Sequence, residues 1–333
     1  MKALDYLRPG TAEEAVDLAR SNPGSHFLAG GSNLVDHLKL GITAPEVLID
    51  VGRLPLDAIE LSEGDDGEVL RIGANVRNSD LAAHPVVRAR FSVVARALLA
   101  GASGQIRNQA TTAGNLLQRT RCVYFHDVTT PCNKREPGSG CSALDGYGRY
   151  NAILGNSPEC VATHPSDFAV ALAAVDATVV VLGPDGERRI AFDDLHRLPG
   201  DRPDADTVLA PGDLVTSVEL PLRLADTPSA YTKVRDRASY AFALVSVAAA
   251  LSMTDGVVAD VRIAWGGVAH KPWRARRAEE ALTGGPLTES AVRAAVDQEL
   301  AGADAIGDTA YKVPMLRNAT TMTLVQLTTG GQR

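Results

Sequence analysis

Four thiols are the densest chemistry in this chain. Cys122, Cys132, Cys141 and Cys160 are its only cysteines among 333 residues. They follow the spacing C-x9-C-x8-C-x18-C. Three of them lie in RCVYFHDVTTPCNKREPGSGC (residues 121–141), a stretch with neither helical nor strand periodicity. Thiols so gathered can form disulfides, in three possible pairings, hold a metal, or remain free. Disulfide frameworks belong to small secreted chains short of core, and this chain is not small, so a metal is the expectation. The spacing is too wide for the CxxC knuckles of structural zinc. Gly138, Gly140, Gly146 and Gly148, with Pro131, Pro137 and Pro158, supply the turns such a loop needs. His126 and His164 could replace one ligand, although a histidine beside a loop more often serves as a surface or hydrogen-bonding group.

Two further stretches could bind an anion or a polar ligand. In LAGGSNL (28–34), Gly30 and Gly31 stand between strand-like and helix-like residues. Backbone amides at such a turn can point at a phosphate. The plain alternative is a tight strand–helix turn, and the motif is neither a P-loop nor a GxGxxG fingerprint. In IRNQATTAGNLLQ (106–118), Thr111, Thr112, Asn115 and Gln118 offer hydroxyls and amides, and Gly114 lets the backbone approach a ligand. Taken alone, that stretch reads as an ordinary polar loop.

The elements that position these residues follow from periodicity and punctuation. Residues 11–23 form a helix with Thr11 as cap; 25–41 form a strand, a Gly-Gly turn and a helix stopping at Gly41. Strands follow at 45–52 and 67–74, then a helical region at 77–103 reopened by Pro85, and a turn-rich polar segment at 104–118. After the cysteines, 166–195 reads as helix, strand, Pro184-Asp185-Gly186 turn and returning strand, and 213–221 as another strand. A shift in composition near 222–230 marks a domain boundary. Beyond it come strands joined by a Thr-Asp-Gly turn and three helices at 274–283, 287–300 and 309–328. Trp265 and Trp273 read as packing residues, and Lys271, Arg274, Arg276 and Arg277 as a solvated helix face. Asn318-Ala-Thr fits a glycosylation pattern that has meaning only after export.

Composition excludes several classes. A net charge of −7 argues against a nucleic-acid footprint. No apolar run of membrane-spanning length occurs, and MKALDYLRPG does not begin a signal peptide. The expectation is a cytoplasmic location, or a periplasmic one if a partner subunit carries the export signal.

Taken in order, AGGSNL, ATTAGN, Ser166-Asp167 and Lys233 resemble the FAD-binding subunit of the molybdenum hydroxylases, the xanthine dehydrogenase and aldehyde oxidoreductase family. The likeness extends through WGGVAHKPWRARRAEEAL (265–282). One departure is Ala113, where the family has a glycine, which suggests a slightly altered turn. The resemblance implies an α+β chain. Residues 1–224 would be a vanillyl-alcohol-oxidase (PCMH)-type FAD-binding domain in two subdomains. Residues 225–333 would be a smaller domain of antiparallel sheet and helices, like the C-terminal domain of CO dehydrogenase flavoprotein. It implies that Leu28, Ala29, Gly30, Gly31, Ser32, Asn33 and Leu34 face Thr111, Gly114 and Asn115 across the FAD pyrophosphate, with Gln118 close by. Asp167 would bond the ribityl or ribose hydroxyls, and Lys233 would lie near the isoalloxazine.

The resemblance also places the cysteines. Residues 116–166 form an insertion that most family members lack, and it contains every thiol. A subset, including bacterial aldehyde oxidoreductases of the periplasmic type, carries a [4Fe-4S] cluster there, and four thiolates on a long loop suit a cubane. Without a cluster, a loop of this length would leave both sides of the FAD site poorly tethered. The implied function is electron transfer within a molybdenum aldehyde oxidoreductase. Electrons would come from a large molybdopterin subunit through a small subunit with two [2Fe-2S] clusters, reach FAD here, and leave to a small-molecule or protein acceptor. The alternatives are a free-standing flavin oxidase or reductase of this fold, and a zinc-stapled scaffold without catalysis.

Overall fold

The computed structural model describes residues 2–328, so the tail of the expected C-terminal domain, 329–333, lies outside the described residues. Three sheets organise the chain. The first is parallel, with β1 (Asp5–Leu7), β2 (His26–Leu28) and β3 (Val47–Asp50) in the order β1-β3-β2. Parallel neighbours need crossovers, and helices α1 (Ala12–Ser21) and α2 (Leu34–Leu40) provide them. Thr11 caps α1 by accepting from Glu14 N at 3.1 Å. Gly41 ends α2 at φ 74°, a left-handed conformation suited to glycine.

The second sheet is antiparallel. It contains β4 (Ile59–Gly64), β5 (Gly67–Gly73), β6 (Thr178–Gly183), β7 (Gly186–Ala191) and β8 (Leu214–Pro221), in the order β4-β5-β8-β6-β7. Short helices α3 (Asn78–Ala83), α4 (Pro85–Arg90) and α5 (Ser92–Ala100) follow β5. Residues 104–118, expected to be turn-rich, instead form two short helices, α6 (Gly104–Gln109) and α7 (Thr112–Leu116). Their caps decide this: Ser103 Oγ accepts from Ile106 N, and Thr111 Oγ1 accepts from Gly114 N. The cysteine segment holds only one turn of helix, α8 (Val123–His126).

Helix α9 (Asp167–Ala174) is the hub. Every one of its residues is buried, and its small side chains let it pack between α5 and the third sheet. Phe168 and Val170 join the core beneath the second sheet. A short helix α10 (Phe192–Leu195) follows β7.

The third sheet, β12-β11-β10-β9, is antiparallel: β9 (Ser229–Val234), β10 (Val245–Thr254), β11 (Val257–Gly266) and β12 (Trp273–Arg274). Its central hairpin turns at Asp255-Gly256, both with positive φ. Helices α11 (Arg276–Leu282), α12 (Glu289–Leu300) and α13 (Lys312–Thr328) complete this half. Their core is centred on the fully buried Trp265 and includes Ile153 and Leu154 from the cysteine insertion. Arg274, expected on a solvated face, is buried and paired with Asp176 and Glu279. No described helix is long and apolar enough to cross a membrane.

Candidate functional site

A cavity of about 570 Å³ opens where α7, α9, the ends of the third sheet and the cysteine insertion meet. Its size falls within the usual range for cofactor sites. Ser32, Asn33, Gly114, Asn115, Gln118, Asp167 and Lys233 line it, so seven of the thirteen FAD-site residues expected from sequence meet at one surface.

Leu28, Ala29, Gly30, Gly31, Leu34 and Thr111 do not line it. Leu28 ends β2 and accepts from Val51 N at 2.9 Å. Thr111 is buried and works as the cap of α7. Gly30 acts through contact: a side chain there would run into the Gln109 carbonyl at the end of α6. Gln109 Nε2 in turn donates to Gly30 O at 3.1 Å. The two glycine-bearing segments therefore touch directly, and Gly30 permits that approach. Ala113 needs no glycine conformation because it sits inside α7.

Asp167 and Lys233, expected at different parts of the cofactor, form one ion pair. Lys233 Nζ donates to Asp167 Oδ2 at 2.7 Å and to Ala100 O at 3.1 Å. Tyr231, which the sequence reading did not single out, donates its hydroxyl to Asp167 Oδ1 at 2.5 Å. Burial and the Asp167 charge push the Tyr231 phenol well above its usual value, so it remains a donor. Register supplies this arrangement: Tyr231 and Lys233 are two apart on β9 and share a face.

Asn115 Oδ1 accepts from Ser166 Oγ at 2.7 Å and from Gln118 Nε2 at 2.8 Å. Its amide nitrogen makes no bond among the described residues and remains a donor toward the cavity. Ser166 also caps α9, accepting from Ala169 N at 3.0 Å. Asn115, Gln118 and the start of α9 are thus braced together.

Arg121 is the principal residue that sequence reasoning missed. It lines the cavity with its guanidinium 5.3 Å from the Phe242 ring. Burial lowers its pKa, partly offset by Asp36. Nothing local distinguished it, since an arginine next to a cysteine carries no periodic signal. Four buried polar atoms of cavity-lining residues lack partners: Asn33 Nδ2, Asn78 Oδ1, Arg121 Nε and Ser246 Oγ. Unpaired buried donors and acceptors are rare without a ligand or water. A cofactor bearing phosphates, hydroxyls and a polar ring has the complementary groups, so the residues present fit FAD.

The cysteine insertion borders the same cavity through Cys122, Tyr150 and Asn151. Cys132 and Cys141 face each other in an isolated antiparallel bridge, and Gly138 and Gly140 between them have positive φ. All four thiols are free. Burial pushes up the thiols of Cys122, Cys141 and Cys160, the last to about 12, and neighbouring cysteines add to each shift. Among the described residues, no group of three or more His, Cys, Asp or Glu side chains is drawn together as for a metal ion. A single zinc would hold thiolates within about 4 Å of one another, given Zn–S bonds near 2.3 Å. A cubane, being larger, holds its ligands further apart. His126 and His164 are engaged with the carbonyls of Thr120 and Leu116.

The insertion is not a loose loop needing metal to tether it, contrary to the sequence expectation. Within the insertion Asn133 Nδ2 donates to Glu159 Oε2 at 2.7 Å, and Lys134 pairs with Asp206 outside it. Ile153 N donates to Val268 O at 2.8 Å, and His164 N to Ala269 O at 2.9 Å. The sequence reading missed these anchors because their partners lie far along the chain.

A two-part α+β chain whose glycine-bearing segments meet beside a cavity with both polar and apolar lining suits a flavin-binding subunit. Residues 2–223 match the FAD binding domain in molybdopterin dehydrogenase, and 229–326 match the CO dehydrogenase flavoprotein C-terminal domain. The chain belongs to this molybdopterin dehydrogenase FAD-binding family and is an FAD-dependent oxidoreductase subunit. It is 55% identical over 286 residues to the aldehyde oxidoreductase FAD-binding subunit PaoB of Escherichia coli (strain K12), covering 86% of this chain and 87% of that one. The glyceraldehyde dehydrogenase medium chain of Sulfolobus acidocaldarius is 27% identical over 87% of this chain and 84% of its own. Among solved structures, carbon monoxide dehydrogenase from Hydrogenophaga pseudoflava superposes with a TM-score of 0.74 at 28% identity, over 97% of this chain and 96% of that one.

Proposed function

We propose that this chain is the electron-transfer subunit of a molybdenum aldehyde oxidoreductase, working with a large molybdopterin subunit and a small [2Fe-2S] subunit. We infer further that Cys122, Cys132, Cys141 and Cys160 hold a [4Fe-4S] cluster. The 55% identity to an aldehyde oxidoreductase FAD-binding subunit, along most of both chains, supports the substrate class and the division into subunits. The observation that carries the cluster is that one segment of the chain holds all four thiols, Cys132 and Cys160 buried and Cys122 lining the flavin cavity.

Bound FAD supplies the redox chemistry, taking up electrons and passing them to an acceptor. The chain's own residues bind and orient it. Asn115 and Arg121 offer donors to its polar groups, and the Asp167–Lys233–Tyr231 network fixes the wall without adding net charge beyond the pair. Cys122 brings the thiol group to the cavity edge, so electrons arriving through a cluster would have a short path.

Iron, sulfide and flavin analysis of the purified complex tests this reading. The expected content attributable to this chain is one FAD, four irons and four sulfides. Zinc without sulfide would establish the stapled scaffold instead, and aldehyde turnover by this chain without partners would establish the free-standing oxidase. Cys132→Ser is expected to lose the irons while retaining most of the FAD, because protein contacts alone anchor both ends of the strap.

A further inference from the structure

One buried cation near the cavity has no counter-ion. Lys312, the first residue of α13, is 0% exposed. Its ammonium donates to Asn151 O at 2.8 Å and to Gly267 O at 2.7 Å. Among the described residues no carboxylate pairs with it, whereas Lys134 pairs with Asp206 and Lys233 with Asp167. Leaving an ammonium buried among carbonyls without a counter-ion is costly, so a nearby anion would favour its charged form.

Its location gives that charge an object. Asn151 and Gly267 both line the cavity, so the ammonium lies one backbone layer behind the wall. The wall of Asn151, Gly266 and Gly267 carries only one small polar side chain and two glycines, and a planar ring can lie against it. Gly267 has φ 71°, and a side chain there would meet the carbonyls of Ala243 and Leu244 at 3.0 and 2.9 Å, so only glycine suits this position beside Lys312.

We propose that Lys312 is a positioning residue for the flavin, clamping this wall and supplying the positive charge that favours the reduced ring. The proposal rests on FAD occupying the cavity. When the ring accepts two electrons from substrate oxidation and forms one N–H bond with one proton, it gains one negative charge. A cation behind the wall stabilises that state more than the oxidised one. Burial pulls the Lys312 ammonium down to about 7, and a new anion across the wall draws it toward the charged form. Lys233, already neutralised by Asp167, contributes far less.

The test is the flavin midpoint potential of the FAD-loaded holoprotein, measured beside FAD content. Lys312→Gln keeps N–H donors for the two carbonyls and removes the charge; Lys312→Arg keeps the charge. The expected result is a more negative potential in Lys312→Gln, with FAD retained, and a potential near wild type in Lys312→Arg. A wild-type potential in FAD-loaded Lys312→Gln overturns the proposal. If Lys312→Gln fails to hold FAD, the wild type decides: a bound-flavin potential no more positive than that of free FAD overturns it, and a clear positive shift supports it. Absence of FAD from the wild-type protein would sink the cofactor reading itself, a separate outcome.

Discussion

At the scale of single residues, Asp167 carries the greatest consequence. It is the sole carboxylate bonded to Lys233, whose side chain is 4% exposed. Asp167→Ala would leave that ammonium buried and unpaired, a loss on the order of 3–5 kcal/mol. It should lower the melting temperature of the flavin-free protein and weaken FAD binding. Adding Lys233→Met should restore much of the stability without restoring flavin affinity. A double variant as unstable as the single one would show that the pair is not the origin of the loss. Asn115→Ala is a milder case, removing an acceptor shared by Ser166 and Gln118 together with a cavity-facing donor. It should weaken FAD binding by about 1 kcal/mol, the worth of a neutral hydrogen bond, in a flavin titration.

At the scale of elements, the insertion matters as a strap between the two halves of the chain. Its first half bonds to the loop after α10 through Lys134 and Arg119, and its second half enters the core under the third sheet through Ile153 and Leu154. Ile153 is fully buried, so Ile153→Ala should cost about 2–5 kcal/mol through lost burial and the cavity left behind. Because residues 150, 151 and 162–164 border the flavin cavity, that variant should also release FAD more readily. Unchanged flavin retention in a clearly destabilised Ile153→Ala would separate the strap from the site.

At the scale of the whole molecule, buried histidines set the acid limit. Burial lowers His37 and His196 to about 4, His270 to about 3, and His164 well below its usual value. Above pH 6.5 these groups are neutral in both folded and unfolded chains, and their contribution to stability is complete. As pH falls from 6.5 toward 4, the unfolded chain binds protons that the folded one refuses, so stability is lost. His196 alone accounts for a loss on the order of 3 kcal/mol over that range. Against a typical total of about 5–15 kcal/mol, four such sites should unfold the protein near the lower end. Melting temperature should therefore drop steeply between pH 6.5 and 4.5, and His270→Leu should flatten the slope. A melting temperature constant across that range would contradict the burial of these rings.

The chain's local signals were enough for most helices and strands, because caps, glycine stops and alternation act between near neighbours. Thr11, Gly41 and the Asp255-Gly256 turn each do what their residue types require. The α+β class and the flavoprotein family were legible for a related reason: AGGSNL and ATTAGN keep their order and composition within short windows. The edge strands β1 and β4 were not legible, being short or largely exposed. The pairing of Asp167 with Lys233 and the wall in front of Lys312 were hidden too. The last two depend on residues 45 to 161 positions apart being brought together by α9 and the third sheet. Hydrogen bonds and ion pairs act over a few ångströms, so sequence could supply the chemical groups, and only the tertiary fold could decide which of them meet.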